Sequence, residues 1–147
     1  MISISSVRFW YCAYFSKISE LIDKLNVRSR VKISKPVYEL KKKIEKIDSC
    51  KVFVLPSRVE GMPQALIEAM ARGKIVVGSD SIAIRDLIKD GDNGYLFEFD
   101  NPRKLSNKIN YILSSDNKKV STNAKKFVKK FSWNKLVTEI ENVFRVL

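Results

Sequence analysis

Apolar residues recur along this chain in two alternating patterns, short continuous runs and longer stretches at helical spacing. Val7–Trp10 reads as a strand inside an apolar, aromatic stretch, Val7–Phe15, that is expected to be buried. Ile18, Leu21, Ile22 and Leu25 then share one face of a helix over Lys17–Leu25. Val31–Ile33 is a short strand. Pro36 suits the first turn of a helix running to Ile47, with Val37, Leu40, Ile44 and Ile47 as its stripe. Val52–Leu55 is a continuous apolar run, the mark of a strand buried on both faces in a parallel sheet. A helix over Pro63–Ala71 follows and stops at Gly73. Ile75–Val77 is another buried strand, Ile84–Ile88 a short helix closed by the Asp90–Gly94 turn cluster, and Tyr95–Phe97 a last strand. From Asn101 the chain is helical, with Pro102 near a helix start and a break near Phe131-Ser132. Strand–helix units of this length predict an α/β fold, a parallel sheet with helices on both faces. Such sheets take ligands outside the carboxyl ends of their strands, which points to the connection from Val52–Leu55 to Pro63–Ala71.

Composition narrows the chemistry. With 147 residues the chain fits one domain, 1–147, large enough to bury roughly 70% of its unfolded surface. Its apolar and charged fractions, 45% and 30%, exclude disordered and fibrous classes. There is no histidine, so histidine metal sites, Ser-His-Asp triads and Cys-His dyads are excluded. Cys12 and Cys50 are too far apart to suggest a redox or metal motif. The apolar N-terminal stretch carries Arg8 and is too short for a signal peptide or a membrane span, so a cytoplasmic protein is expected. Charge is uneven: net +6 over residues 1–50, −2 over 51–100 and +8 over 101–147. Basic runs such as Lys41-Lys42-Lys43 and Lys125-Lys126…Lys129-Lys130 suit solvated helix faces. They also suit contact with an anionic membrane surface, which would place the protein at the inner face of the membrane.

The least basic third holds the informative string, Pro56-Ser57-Arg58-Val59-Glu60-Gly61-Met62-Pro63-Gln64-Ala65-Leu66-Ile67-Glu68-Ala69-Met70-Ala71-Arg72-Gly73. A strand delivers the chain to a loop, Gly61 lets backbone approach a ligand, and a helix begins. The first amides of a helix lack intrahelical acceptors and its dipole favours negative charge, so a diphosphate fits there. Glu60 precedes that helix and Glu68 lies slightly more than a turn inside it, so two carboxylates flank one anion site. Blander roles stand beside this one. Glu68 can pair with Arg72 four residues on, for about 0.3–0.5 kcal/mol, and Glu60 can simply complement the helix N-terminus. Arg58 can reach the phosphates, but a solvated loop cation is the safer reading. Leu66, Ala69 and Met70 read as core, and Trp133 as a packing anchor.

This string resembles glycosyltransferase family 4, the retaining "group 1" enzymes. The likeness rests on Pro-Ser-x-x-Glu-Gly-x-Pro, then Glu-Ala-Met-Ala-x-Gly and Val-Val, and extends through Ile88–Leu96 to Phe131-Ser132-Trp133. It implies a Rossmann-like domain forming one half of a GT-B architecture with a helical C-terminus. It also implies a nucleoside diphosphate sugar as donor substrate and no metal or other cofactor. By the resemblance, Glu68 accepts hydrogen bonds from the donor ribose. Glu60, as the catalytic carboxylate, faces the sugar with the amides of Gly61, Met62 and Gln64. The amides near Ala65 and Leu66 hold the diphosphate. The implied reaction moves a hexose to a sugar or lipid-linked acceptor.

Two departures qualify the likeness. Family members open this domain with a strand and loop carrying an Arg and a Lys, then a Gly-rich turn; here Trp10-Tyr11-Cys12-Ala13-Tyr14 stands where those glycines belong, and the cationic pair has no counterpart. Ser81-Ile82-Ala83-Ile84-Arg85-Asp86 replaces a loop of paired glycines and a Glu. The acceptor-binding N-terminal domain is expected to be absent from this chain, so an acceptor domain or a separate chain would complete the cleft. Two other readings remain: a non-catalytic nucleotide-sugar-binding or partner-docking fragment, and a basic nucleic-acid-binding protein. Against the last, the best-formed site is the least basic third and aromatics do not interleave the C-terminal basic runs, so no nucleic acid is expected.

Overall fold

A computed structural model describes residues 2–5 and 11–146. Within the length expected to form one domain, contacts fall into two compact units, Met1–Ile44 and Glu45–Leu147. Each is described by itself.

The first unit pairs β1 (Ile2–Ser5) in parallel with β2 (Val31–Ser34), and α1 (Tyr11–Lys24) lies between them in sequence. Val7–Trp10, expected as a strand, lies outside the described residues. The adjoining Tyr11–Phe15 corrects the buried-strand reading: these residues are the first turns of α1, and Phe15 is exposed. The reason is periodicity. Phe15, Ile18 and Ile22 continue one helical stripe toward the N-terminus, and a short apolar run does not by itself separate strand from helix. Of that stripe Ile22 is buried. Arg28 closes the unit's first helix by donating to both carboxylate oxygens of Asp23 at 2.6 Å and to the Ser19 hydroxyl at 2.7 Å. The next helix, α2 (Leu40–Ser49), begins four residues later than Pro36 suggested. Val37 and Tyr38 are weak helix formers, and the first helical bond runs from the Lys43 amide to the Glu39 carbonyl at 2.9 Å.

The second unit is built on a three-stranded parallel sheet in the order β3 (Val52–Leu55), β4 (Ile75–Ser79), β5 (Tyr95–Phe97). Val54 pairs with Val77, and Val77 with Tyr95. Successive residues of a strand point to opposite faces, and the two cores follow that alternation. Phe53, Leu55, Val76 and Leu96 face Leu66, Ala69 and Met70 of α3 (Gln64–Ala71) and Ala124 and Val128 of α6 (Lys118–Val128). Val52, Val54, Ile75, Val77, Tyr95 and Phe97 face Leu105 and Ile112 of α5 (Pro102–Ser114) and Val120 of α6. Helices therefore cover both faces, as the continuous apolar runs required.

Local chemistry fixes the ends of these elements. Gly73, at φ +71°, ends α3, a left-handed position where a side chain costs roughly 1 kcal/mol. α4 (Ile82–Arg85) starts two residues before the expected Ile84–Ile88, and its hydrogen bonds run on to Ile88, whose amide reaches the Ile84 carbonyl at 2.8 Å. In the turn that follows, buried Asn93 accepts from the Lys89 amide at 2.8 Å and donates to the Leu87 carbonyl at 3.0 Å. Asn101 caps α5 by accepting from the Lys104 amide at 3.1 Å, with Pro102 in the first turn. A break between α5 and α6, which periodicity did not reveal, is held by Asn117: its Nδ2 donates to the Ile112 and Ser115 carbonyls at 2.8 Å. A 3-10 turn at Lys129–Phe131 leads into α7 (Trp133–Val146). Among the described residues no helix is long and apolar enough to cross a membrane.

Candidate functional site

Three loops leave the carboxyl ends of β3, β4 and β5 side by side, and they enclose an open cleft of about 610 Å³. From the β3 loop come Arg58, Val59, Glu60 and Gly61; from the β4 loop, Asp80, Ser81, Ile82, Ala83, Arg85 and Asp86; from the end of β5, Phe99. This is where a parallel sheet of this kind presents ligands.

Specific contacts hold the walls together. The Ser79 hydroxyl, buried at the end of β4, donates a short hydrogen bond to the Ser57 carbonyl, tying the β3 loop to its neighbour strand. The Arg58 guanidinium sits 4.8 Å from the centre of the Phe99 ring, a cation–π contact that spans from the β3 loop to the end of β5. Arg85 Nε lies 3.2 Å from Asp80 Oδ1, so this cation is matched within its own loop. The lining then carries three carboxylates, Glu60, Asp80 and Asp86, against two guanidinium groups. Ser81 Oγ is buried and has no hydrogen-bond partner. Val59 and Ile82 give the mouth an apolar rim, 81% and 75% exposed.

The residues singled out from sequence distribute unevenly over this geometry. Glu60 and Gly61 line the cleft. A Cβ built on Gly61 would meet nothing within 4 Å, so protein packing does not demand glycine there. Met62, Gln64 and Ala65 are exposed at the start of α3, while the Leu66 side chain is wholly buried and only its backbone remains a candidate contact. The amides of that turn are partly engaged: Gln64 donates to the Met62 carbonyl at 2.8 Å and Leu66 to the Pro63 carbonyl at 2.9 Å. Among the described residues the Ala65 amide has no backbone acceptor. Glu68 is half-buried in the second turn of α3 and is not part of the cleft lining. Arg72, its sequence-expected partner, is instead committed to Asp48, donating from Nε to Oδ1 at 2.9 Å and from the second nitrogen to Oδ2. That guanidinium holds the Asp48 carboxyl below the usual carboxylate range.

Asp80 and Phe99 were not singled out from sequence, and the contact of Arg58 with Phe99 was not foreseen. Arg58 looked like a solvated loop cation, and only the packing of β5 beside β4 places an aromatic ring beneath it. A signal existed for Asp80 and the Ser81–Asp86 loop, since both follow directly on a buried strand.

Comparisons with known proteins identify the family and the fold. The family model "Glycosyl transferases group 1" matches residues 13–130. An uncharacterized glycosyltransferase of Methanocaldococcus jannaschii is 36% identical over 100 residues, covering 67% of this chain and 28% of that protein. An α-1,4-N-acetyl-D-galactosaminyltransferase of Campylobacter jejuni, whose name specifies an undecaprenol-diphosphate-linked acceptor, is 32% identical over 136 residues, 86% of this chain and 35% of that one. This chain thus spans about a third of the length of either relative. Among solved structures, HepE of Anabaena with UDP and glucose superposes with a TM-score of 0.87 at 22% identity, covering 97% of this chain and 39% of that one. That likeness shows the fold, a Rossmann-like half of a GT-B architecture. With the family model spanning most of its length, the chain belongs to the group 1 glycosyltransferases.

Proposed function

We propose that this chain is the donor-binding part of a retaining glycosyltransferase, which passes a hexose from a nucleoside diphosphate sugar to a sugar or lipid-linked acceptor. One observation carries the reading: the Glu60–Gly61 wall of the cleft runs directly into the N-terminus of α3. Gly61 supports it further, because open space at its Cβ is what a ligand approaching the backbone needs.

In this reading the donor lies along the start of α3. Glu68 takes the ribose hydroxyls, the Ala65 amide and its neighbours Gln64 and Leu66 meet the diphosphate, and Glu60 faces the sugar with the amides of Gly61 and Met62. Two of those amides must exchange a local carbonyl for a phosphate oxygen, a modest rearrangement of one turn. As the glycosidic bond to the diphosphate breaks, charge grows on the leaving oxygen, and fixed amide dipoles stabilise it without reorganisation. The leaving phosphate, on the same face as the incoming hydroxyl, takes its proton, so configuration is retained with no enzymic nucleophile. No metal takes part. The apolar rim of Val59 and Ile82 suits coverage by an acceptor domain or a separate chain.

Titration of the chain with UDP and GDP by calorimetry tests the proposal. Saturable binding is expected, unchanged by a chelator and weakened at least about tenfold in Glu68→Ala, the loss of a charged hydrogen-bond acceptor. No saturable binding of either nucleotide would remove the reading.

A further inference from the structure

The second unit carries a surface unrelated to the cleft. Lys118, Lys119, Lys125 and Lys126 of α6 and Lys129 and Lys130 of the following 3-10 turn are all exposed. They fall at spacings of seven and eleven residues, 118, 125, 129 and 119, 126, 130, which places them on one face of the helix. The opposite face, Val120, Ala124, Phe127 and Val128, is packed in the two cores. No acidic residue occurs from Lys118 to Lys130, and among the described residues none of the six lysines has an ion pair. By contrast Lys42, Lys104 and Lys108, elsewhere on the surface, are each within reach of a carboxylate.

Like charges on neighbouring turns repel and destabilise a helix. Among the described residues no carboxylate pairs with this row to offset that repulsion. Lys125 has its stem lying against Gly73, and Lys130 has its ammonium 3.9 Å from the Phe127 ring centre. Among the described residues the other four ammonium groups have neither an ion pair nor a ring contact. Beyond the 3-10 turn stands Trp133, 80% exposed. An exposed indole three residues along the chain from the last of these lysines suits the headgroup level of a bilayer, where the ring's apolar body and N–H are both accommodated.

We propose that the outer face of α6, with Trp133, docks the protein on an anionic lipid surface. Recognition is by delocalised charge rather than a headgroup pocket: each lysine within a Debye length of the membrane adds attraction. A polynucleotide would also attract lysines, but the outer face bears no aromatic side chain between them to stack on bases.

The test is co-sedimentation of the full chain with neutral phosphatidylcholine vesicles and with vesicles containing about 30% phosphatidylglycerol, at low and high salt. Binding to the anionic vesicles alone is expected, and it should disappear at high salt. Replacing Lys118, Lys119, Lys126 and Lys129 with Gln should weaken it at least about tenfold. The same loss of charge at Lys24, Lys35, Lys41 and Lys51 should weaken it less than about threefold. In a Trp10→Phe background, brominated lipid should quench Trp133 fluorescence. Equal losses in the two quadruple variants would show that net charge alone is responsible and overturn the proposal. So would binding without quenching, or tighter binding to single-stranded RNA than to vesicles at the same salt.

Discussion

Two helices of the second unit, α3 and α7, both carry apolar stripes and meet opposite fates. In α3, Leu66, Ala69 and Met70 have no solvent exposure at all. In α7, Trp133, Val137, Ile140 and Phe144 recur at spacings of three and four residues, yet all four are exposed, Phe144 at 71%. The difference is not one of local propensity, since both segments form helices. α3 is delivered by β3 and removed by β4, so its stripe must land on the sheet between them. α7 follows a 3-10 turn, with no strand on either side of it to carry its stripe onto the sheet, and that stripe stays exposed. An amphipathic pattern thus specifies a helix and a face, while burial needs a second surface placed by topology.

The comparison can be broken most decisively in α3. Met70→Ala removes a side chain with no exposure from beneath β4 and should lower unfolding free energy by about 2–5 kcal/mol in chemical denaturation. A loss below about 1 kcal/mol would mean that the α3 core collapses freely onto smaller residues. Gly78→Val probes the same layer from the strand side: a Cβ there would collide with Ile84 Cγ2 and lie 3.1 Å from Ile88 Cδ1. Overpacking should cost about 1–3 kcal/mol by the same measurement. In α7 the expected effect is far smaller. Phe144→Ala should change stability by no more than about 0.5 kcal/mol, as for other exposed positions. A substantially larger loss would reveal that the α7 stripe is covered in solution.

The smallest effect is electrostatic and sharpens the comparison from the other end of α3. Arg72 joins this helix to Asp48, and the pairing holds the Asp48 carboxyl below its ordinary pKa. A carboxylate whose folded pKa is depressed contributes stability above its unfolded pKa and loses that contribution as pH falls through the folded value. Thermal melts should therefore show Asp48→Asn slightly less stable than the parent at neutral pH. The gap should close in acid, below the usual carboxylate range. Because the pair is exposed, the gap should be slight at any pH and shrink with added salt.

The site was more legible in sequence than its walls. The order of residues from Val52 to Gly73 announced a strand, a loop and a helix start, and the fold places Glu60 and Gly61 on the cleft. The wall contact of Arg58 was not readable because it depends on Phe99, 41 residues away in sequence and adjacent only because β5 pairs beside β4. Arg72 failed as a partner for Glu68 for a similar reason. An i, i+4 pair is the nearest candidate along the chain, but α2 brings Asp48 into a bidentate geometry that a neighbour on the same helix does not offer. At the N-terminal side, the aromatic stretch up to Phe15 had no internal signal to separate strand from helix.

By itself the sequence determined which segments alternate between strand and helix, because apolar periodicity is a property of neighbours along the chain. It also determined the family, because the ordered string from Pro56 to Gly73 is local. Tertiary structure alone decided which cations face the cleft, which carboxylate Arg72 takes, and why one amphipathic helix is buried and another exposed. Those outcomes depend on distances between residues far apart in the chain, set by the pairing of β3, β4 and β5 and by the helices packed around them.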